Sequence, residues 1–431
     1  MSGMEGLLFI GKLFTMALNK DPKRILFLDN LRWLMVLLVV VLHSAVSYSN
    51  LAPWWCVKES NENSVFFDVV LLLLDVFLMP VLFFIAGYFA VSSFQRKGAR
   101  HFLNRKLKRL GLPLVICIPL IGPSFAYIYH YTRDGFSYYM RFSEYWLRYL
   151  KSVGDFQMGV ITSIDHFNHS HLWFMSLLLF FFVIFALFAS KKKWHQASGL
   201  TVSLEQTSDR SILVILAAVG FISTISAFAA NLIFSSPTDM DPWVIIANLL
   251  QFQPIKVVSY IVYFSMGVYA FHHKWFFPAQ IPGHPAIWTL ACALLSIGLL
   301  LTLKALMLNF SVGILFLYHF IRSFLCVSFL SAFTLWAVRS WNRPSPINEQ
   351  LALNSYHIYI VHLLIVILLQ LLLVGWSDGS VFVKFGIVST ASILISYGIS
   401  QYAIRPYPRL SLTSIYVLFI ILLVNIHPVG S

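Results

Sequence analysis

Residues 24 to 48 read RILFLDNLRWLMVLLVVVLHSAVSY, an apolar run that carries an aspartate, an arginine and a histidine. At about 100° per residue, Arg32 and His43 lie within about 20° of one another on a helix, and Asp29 falls on the same stripe. A rise of about 1.5 Å per residue puts His43 roughly 16 Å above Arg32, near or just beyond the middle of a bilayer. One helix face thus predicts a cation at its entrance and a titratable base in its interior. Imidazole is the side chain best suited to take and return a proton near neutral pH. A charge in hydrocarbon costs a few kcal/mol or more, so such groups on one face predict a polar cavity with a function. The bland alternative is a core histidine satisfied by a carbonyl, with Arg32 snorkelling to the headgroups.

Other polar groups in apolar runs point the same way. Asp68 and Asp75 share a face by their spacing of seven, and Asp75 reaches a depth similar to that of His43 if the two helices run antiparallel. Asp75 or Asp29 is therefore expected to orient or charge the imidazole. Arg322 lies in the outer third of its apolar run and must face a cavity or a carboxylate. In LALNSYHIYIVHLL, Ser355, Tyr359 and His362 fall on one face while His357 points elsewhere, and His362 again reaches about the depth of His43. Hydrogen bonding between helices is the plain reading of such residues.

These residues need elements to hold them, and composition says which. Over 431 residues, 59% are hydrophobic and 11% charged, with a mean hydropathy of +0.78; this predicts an integral membrane protein. Spans of roughly 20 apolar residues fall near 31–49, 65–94, 110–131, 171–190, 211–234, 254–272, 286–306, 314–338, 350–374, 381–403 and 412–427. The fold class expected is all-α, a polytopic helical bundle of about 10–11 transmembrane helices. We divide it into an interfacial arm at 1–24, a membrane domain at 25–410 and an additional C-terminal helix at 411–431. The arm has no small-residue cleavage site after its short apolar stretch and is not read as a signal peptide.

With a cytoplasmic N-terminus, basic residues concentrate in the inner connections and the positive-inside rule is satisfied at every short loop. The net charge of +13 is therefore mainly a topology signal, and no nucleic-acid partner is expected. QRKGARHFLNRKLKRLGLP, with seven Lys and Arg, is read as one inner loop able to attract an anionic ligand as well as lipid headgroups. No Gly-rich phosphate loop is present. Cys56, Cys117, Cys292 and Cys326 lack paired metal-type spacing and read as packing residues, so no metal site is expected. The connection 132–170, rich in Tyr, Trp, Asp and His, would suit a sugar-like acceptor at the outer face.

Several stretches, taken in order, resemble the membrane-bound acyltransferase 3 family. FLDNLRWLMVLLVVVLH resembles its Arg, ten residues, His signature, and LMPVLFFIAGYFA its Phe-rich run, with Ala86 where Ser is usual. KRLGLPL, HLWFMSLL and LNSYHIYIVH are similar to further family segments, and the set covers roughly Leu26 to Pro408. Trp33-Leu34-Met35 and the compact layout look most like the glucan succinyltransferases, which modify periplasmic glucans. No fused extracytoplasmic domain is expected.

The resemblance implies transfer of an acyl group, acetyl or succinyl, from cytoplasmic acyl-CoA to a hydroxyl of an extracytoplasmic glycan or glycolipid, in a bacterial inner membrane. Acyl-CoA is then a co-substrate, and no permanently bound cofactor is expected. His43, Asp75 and His362 would be catalytic, with His43 as base or transient nucleophile. Asp29, Arg32, Arg105 and Arg109 would hold the nucleotide, and Trp173, His171, Arg322 and Tyr359 the acceptor. The competing class is a secondary transporter or exporter of a glycan or lipid-linked substrate, with the same charges forming its pathway.

Overall fold

Apolar runs of this length cannot leave backbone amides unpaired in lipid, and helices satisfy them within the segment. A computed structural model of the chain describes residues 25–424 apart from 60–62, 135–139, 156, 193, 195–207, 237–238 and 277–281. Its helices are α1 (Leu26–Val46), α2 (Val65–Lys106), α3 (Leu112–Arg133), α4 (Phe142–Lys151), α5 (Trp173–Lys191), α6 (Asp209–Phe234), α7 (Pro254–His272), α8 (Pro285–Leu308), α9 (Val312–Ser340), α10 (Pro346–Leu373), α11 (Val381–Gly398) and α12 (Pro408–Val424). Proline opens α7, α8 and α10, where its missing N–H costs nothing. Serine hydroxyls cap the first turns of α2, α6 and α11.

The chain is a multi-pass membrane protein: ten of the described helical segments are long and apolar enough to span a bilayer. Ten of the eleven expected spans coincide with these segments. The eleventh corresponds to α12, which at 17 residues is shorter than a full span; the rest of that stretch, like the arm at 1–24, lies outside the described residues.

One expectation needs correction. The basic stretch after the second span is helix and not loop. Lys and Arg are good helix formers, so α2 runs on to Lys106, broken only at Gly98, whose φ of 71° suits glycine. A π-turn, Leu107–Gly111, then leads into α3. The helical bundle also carries a small antiparallel sheet of β1 (Met158–Val160), β2 (Val244–Ile246) and β3 (Leu250–Phe252), in the order β1-β2-β3. Three-residue strands fall below what an apolar pattern can reveal. The sheet lies at one end of the bundle, hereafter the sheet end, and the Arg96 to Arg109 stretch defines the opposite, basic end.

Helix α2 packs against α7 through a reciprocal pair of glycines. A Cβ on Gly87 would collide with the carbonyl of Phe264, and one on Gly267 with the carbonyl of Phe84. Small residues let the two backbones approach closely, as is usual between membrane helices. The Ala-Gly-Tyr step of LMPVLFFIAGYFA thus has a packing role.

Candidate active site

The charged stripe of α1 packs on α10. Near the basic end the Arg32 guanidinium reaches the carbonyl of Ala352 at 3.4 Å. Eleven residues along α1 and ten along α10, His43 Nδ1 stands 3.2 Å from His362 Nε2. Further on, the Gln370 amide donates to the carbonyls of His43 and Ser44 at 3.1 and 3.2 Å. The two helices therefore run side by side in the same direction, which matches the spacing of the one stripe to the other.

At the sheet end of this contact three imidazoles meet. The ring centroids of His43, His171 and His362 lie 4.9 to 6.3 Å apart. His171 arrives from the short 3₁₀ turn Ser170–Leu172 that opens α5. Carbonyls can only accept, and this decides where each proton sits. Val39 O lies 2.9 Å from His43 Nδ1, so neutral His43 carries its proton there and keeps a lone pair on Nε2. Tyr359 O lies 2.7 Å from His362 Nδ1, so His362 Nε2 is an acceptor and shares the His43 Nδ1 proton with Val39. His171 Nε2 donates to the carbonyls of Tyr359 and Ile360, and its buried Nδ1 has no hydrogen-bond partner among the described residues. The Tyr359 hydroxyl donates in turn to the His171 carbonyl.

Two residues that sequence reasoning missed complete the site. The Trp55 indole stacks on His43 with centroids 5.8 Å apart, and its Nε1 donates to Gln370 Oε1 at 2.8 Å. A glutamine inside VILLQLLL was a visible signal, since a buried amide in an apolar run needs partners. Trp55 lies in the connection after α1 and carried no such signal.

At the basic end, Arg32 pairs with Asp29 at 2.9 Å. Lys106 and Arg109 each lie within electrostatic reach of Arg32 and Arg105, and Asp29 within reach of Arg109; Arg109 covers the Tyr356 ring at 5.1 Å. Like charges so close are costly unless an anion compensates them. Arg32 is thus brought near a set of cations 73 residues or more away in sequence, Arg105, Lys106 and Arg109.

Asp75 is elsewhere and does not orient His43. Its carboxylate binds Arg322 at 2.6 Å and Lys256 at 2.8 Å, and Lys256 also binds Asp241 at 2.7 Å. Depth along a helix does not determine azimuth, and α2 turns Asp75 toward α7 and α9. The expectation that Arg322 meets a carboxylate or cavity is met by this network, which lines a cleft. Nor does Asp29 reach the imidazole: Arg32 holds it at the basic end. Trp173 stacks on Tyr260 at 5.6 Å and meets Trp243 edge-on at 5.3 Å, so it borders the Asp75 cleft and is not part of the histidine cluster.

The segment carrying His171 is anchored from outside the membrane. His169 bonds Ser176 and the Asn248 carbonyl, both at 3.0 Å, and its backbone N–H donates to Gln251 at 2.6 Å. Burial holds the His169 imidazole below its ordinary pKa, against the opposing effect of the Asn248 carbonyl. Asp165 accepts from Tyr145 at 2.6 Å and meets His130 Nε2 at 2.8 Å. Burial works against this carboxylate, but those two hydrogen bonds together with nearby positive charge, Arg148 included, outweigh it and its pKa lies below the usual range.

Proteins named glucans biosynthesis protein C, from Salmonella typhi and Salmonella typhimurium, are 23% identical over 258 residues, which is 57% of this chain and 58% of theirs. The protein of that name from Escherichia coli O139:H28 is 24% identical over 295 residues, 66% of this chain and 68% of its own. The chain thus matches somewhat over half the length of the Salmonella relatives. No solved structure matches it. A family described as acyltransferase domain matches residues 25–401, a range that contains both the histidine cluster and the basic end, and the chain belongs to that acyltransferase 3 family.

Proposed function

We propose that the protein transfers an acyl group from acyl-CoA, bound at the basic end, to a hydroxyl of a glycan or glycolipid reaching in from the sheet end. The observation that carries this reading is the free Nε2 lone pair of His43, held on the same α1 face as the Arg32 cluster and between two further histidines. Arg32, Arg105, Lys106 and Arg109, four cations beside the one carboxylate of Asp29, meet the donor phosphates, which balance that excess. The acceptor hydroxyl gives its proton to His43 Nε2 as its oxygen attacks the thioester carbonyl; the carbon–sulfur bond then breaks, and the thiolate leaves and takes up the proton. As positive charge grows on His43, its Nδ1–H is held by Val39 O and His362 Nε2, which stabilises the imidazolium. The donor end faces the cytoplasm of a bacterial inner membrane, the orientation in which basic residues lie inside. The names of the relatives favour a glucan as acceptor.

The test uses protein in nanodiscs given labelled acetyl-CoA or succinyl-CoA with a periplasmic glycan extract. Wild type moves label to a glycan, and the better donor identifies the acyl group. His43→Ala lowers kcat by about 10²- to 10⁴-fold, while Arg32→Ala acts mainly on the donor KM. Label transfer unaffected by His43→Ala overturns the role of the base. If neither CoA ester is bound or consumed, the reading fails and transport of a glycan becomes the leading explanation.

A further inference from the structure

The Asp75 cleft is not used by the chemistry above. It opens between α2, α6, α7 and α9 and is lined by Asp75, Lys256 and Arg322 together with Ser223, Ser259 and Tyr260. Its charges balance: Asp75 and Asp241 face Lys256 and Arg322, each within 2.8 Å of a partner. A net-neutral quartet does not select an anion or a cation. It still offers oriented donors and acceptors, because the Asp75 side chain remains 40% exposed and that of Asp241 32% exposed. Among the described residues, Asp241 Oδ1 and the Ser223 hydroxyl are buried without hydrogen-bond partners, an unpaired state that costs free energy. Burial also pushes the Asp241 carboxyl above its ordinary pKa, with Lys256 opposing and Asp75 adding to it.

The cleft has room for groups the size of water and not for a whole ring, about 40 Å³. Beside it stand Trp173 and Trp243, both only partly buried, with Trp173 stacked on the Tyr260 wall. Aromatic faces next to a narrow pocket of paired charges and hydroxyls match a neutral sugar, whose ring has an apolar face and whose hydroxyls both donate and accept.

We infer that this cleft is a binding subsite for one glycosyl unit of a neutral acceptor, taking a hydroxyl or hydroxymethyl group between Asp75, Asp241, Lys256 and Arg322 while Trp173 and Trp243 meet the ring. The inference rests on the acyl-transfer reading only for the word acceptor; the binding itself is measured without a donor. Aromatic side chains separate the cleft from the histidines: Trp173 and Phe83 each stack on Tyr260, and Phe174 packs on Phe83. The unit held here is therefore a neighbour of the one acylated.

The experiment follows intrinsic tryptophan fluorescence of the protein in nanodiscs titrated with laminaritetraose, a neutral gluco-oligosaccharide, and with a glucuronic acid oligosaccharide of the same length. Wild type binds the neutral probe more tightly, and Asp241→Asn and Trp243→Ala each weaken it by about tenfold or more. Ser223→Ala, which removes a single hydroxyl, weakens it less. Cooperative thermal unfolding of the same samples, read without any donor, reports whether each variant is folded. Absence of neutral-probe binding, preference for the acidic probe, or binding unchanged in folded Asp241→Asn and Trp243→Ala overturns the inference. Saccharide binding by a wild type that transfers no acyl group upholds the subsite and removes only the acyl-transfer reading.

Discussion

His43 acquires its orientation from neighbours that do not react. Gln370 uses its whole amide: Oε1 accepts from Trp55, and Nε2 donates to the two α1 carbonyls that follow the Val39 bond. Replacing it with leucine strands the Trp55 N–H in a buried place, a loss of about 1–3 kcal/mol, and frees the indole from its stack on the imidazole. Gln370→Leu is expected to lower the melting temperature and to reduce kcat with little change in donor KM. Gln370→Glu keeps the acceptor for Trp55 and should recover part of kcat. Equal loss in the two variants would mean that the indole does not position His43. At this scale the sequence was half legible: the Arg32 and His43 stripe was readable from spacing, as was the shared face of Tyr359 and His362. Their partners were not, because a hydrogen bond across more than 300 residues leaves no local periodicity.

Between elements, the connection after α1 is tied to the bundle by charge. Lys384, near the start of α11, binds Glu59 at 2.8 Å, and both side chains are about nine-tenths buried or more. Through this pair the lysine of VFVKFGIVST holds the segment bearing Trp55. Removing one partner leaves the other charge buried and unpaired, at a cost of about 3–5 kcal/mol, whereas replacing both with apolar groups is near neutral. Glu59→Gln and Lys384→Met should each lower stability in denaturant or thermal titrations, and the double variant Glu59→Leu/Lys384→Met should recover most of it. Additive losses in the double variant would show that the pair is not the source. The same segment is fixed by Asp68, which accepts from Ser49 at 2.6 Å and from the Asn50 backbone at 2.7 Å. Asp68 and Asp75 share a helix, yet one holds a loop and the other a cleft.

For the whole molecule, the sheet-end cap carries a pH dependence. The Asp165 pKa is depressed by Tyr145 and His130, so its contribution to stability is present above the ordinary carboxylate value and is lost as pH falls through the depressed one. The side chain is 46% exposed, which makes the effect modest. Thermal unfolding followed between pH 3 and about pH 6 should show wild type losing more stability on acidification than Asp165→Asn. Parallel curves would sink the assignment. The sequence by itself determined the solvent, the spans and the candidate base, because hydropathy and 3.6-residue periodicity are local properties summed over many residues. Only the tertiary structure decided which polar groups meet. It turned Asp75 to Arg322 and Lys256, brought His171 to His43 and His362, and made the basic stretch part of a helix. Azimuth and pairing depend on how helices pack, and a one-residue rotation of about 100° changes a partner without changing hydropathy.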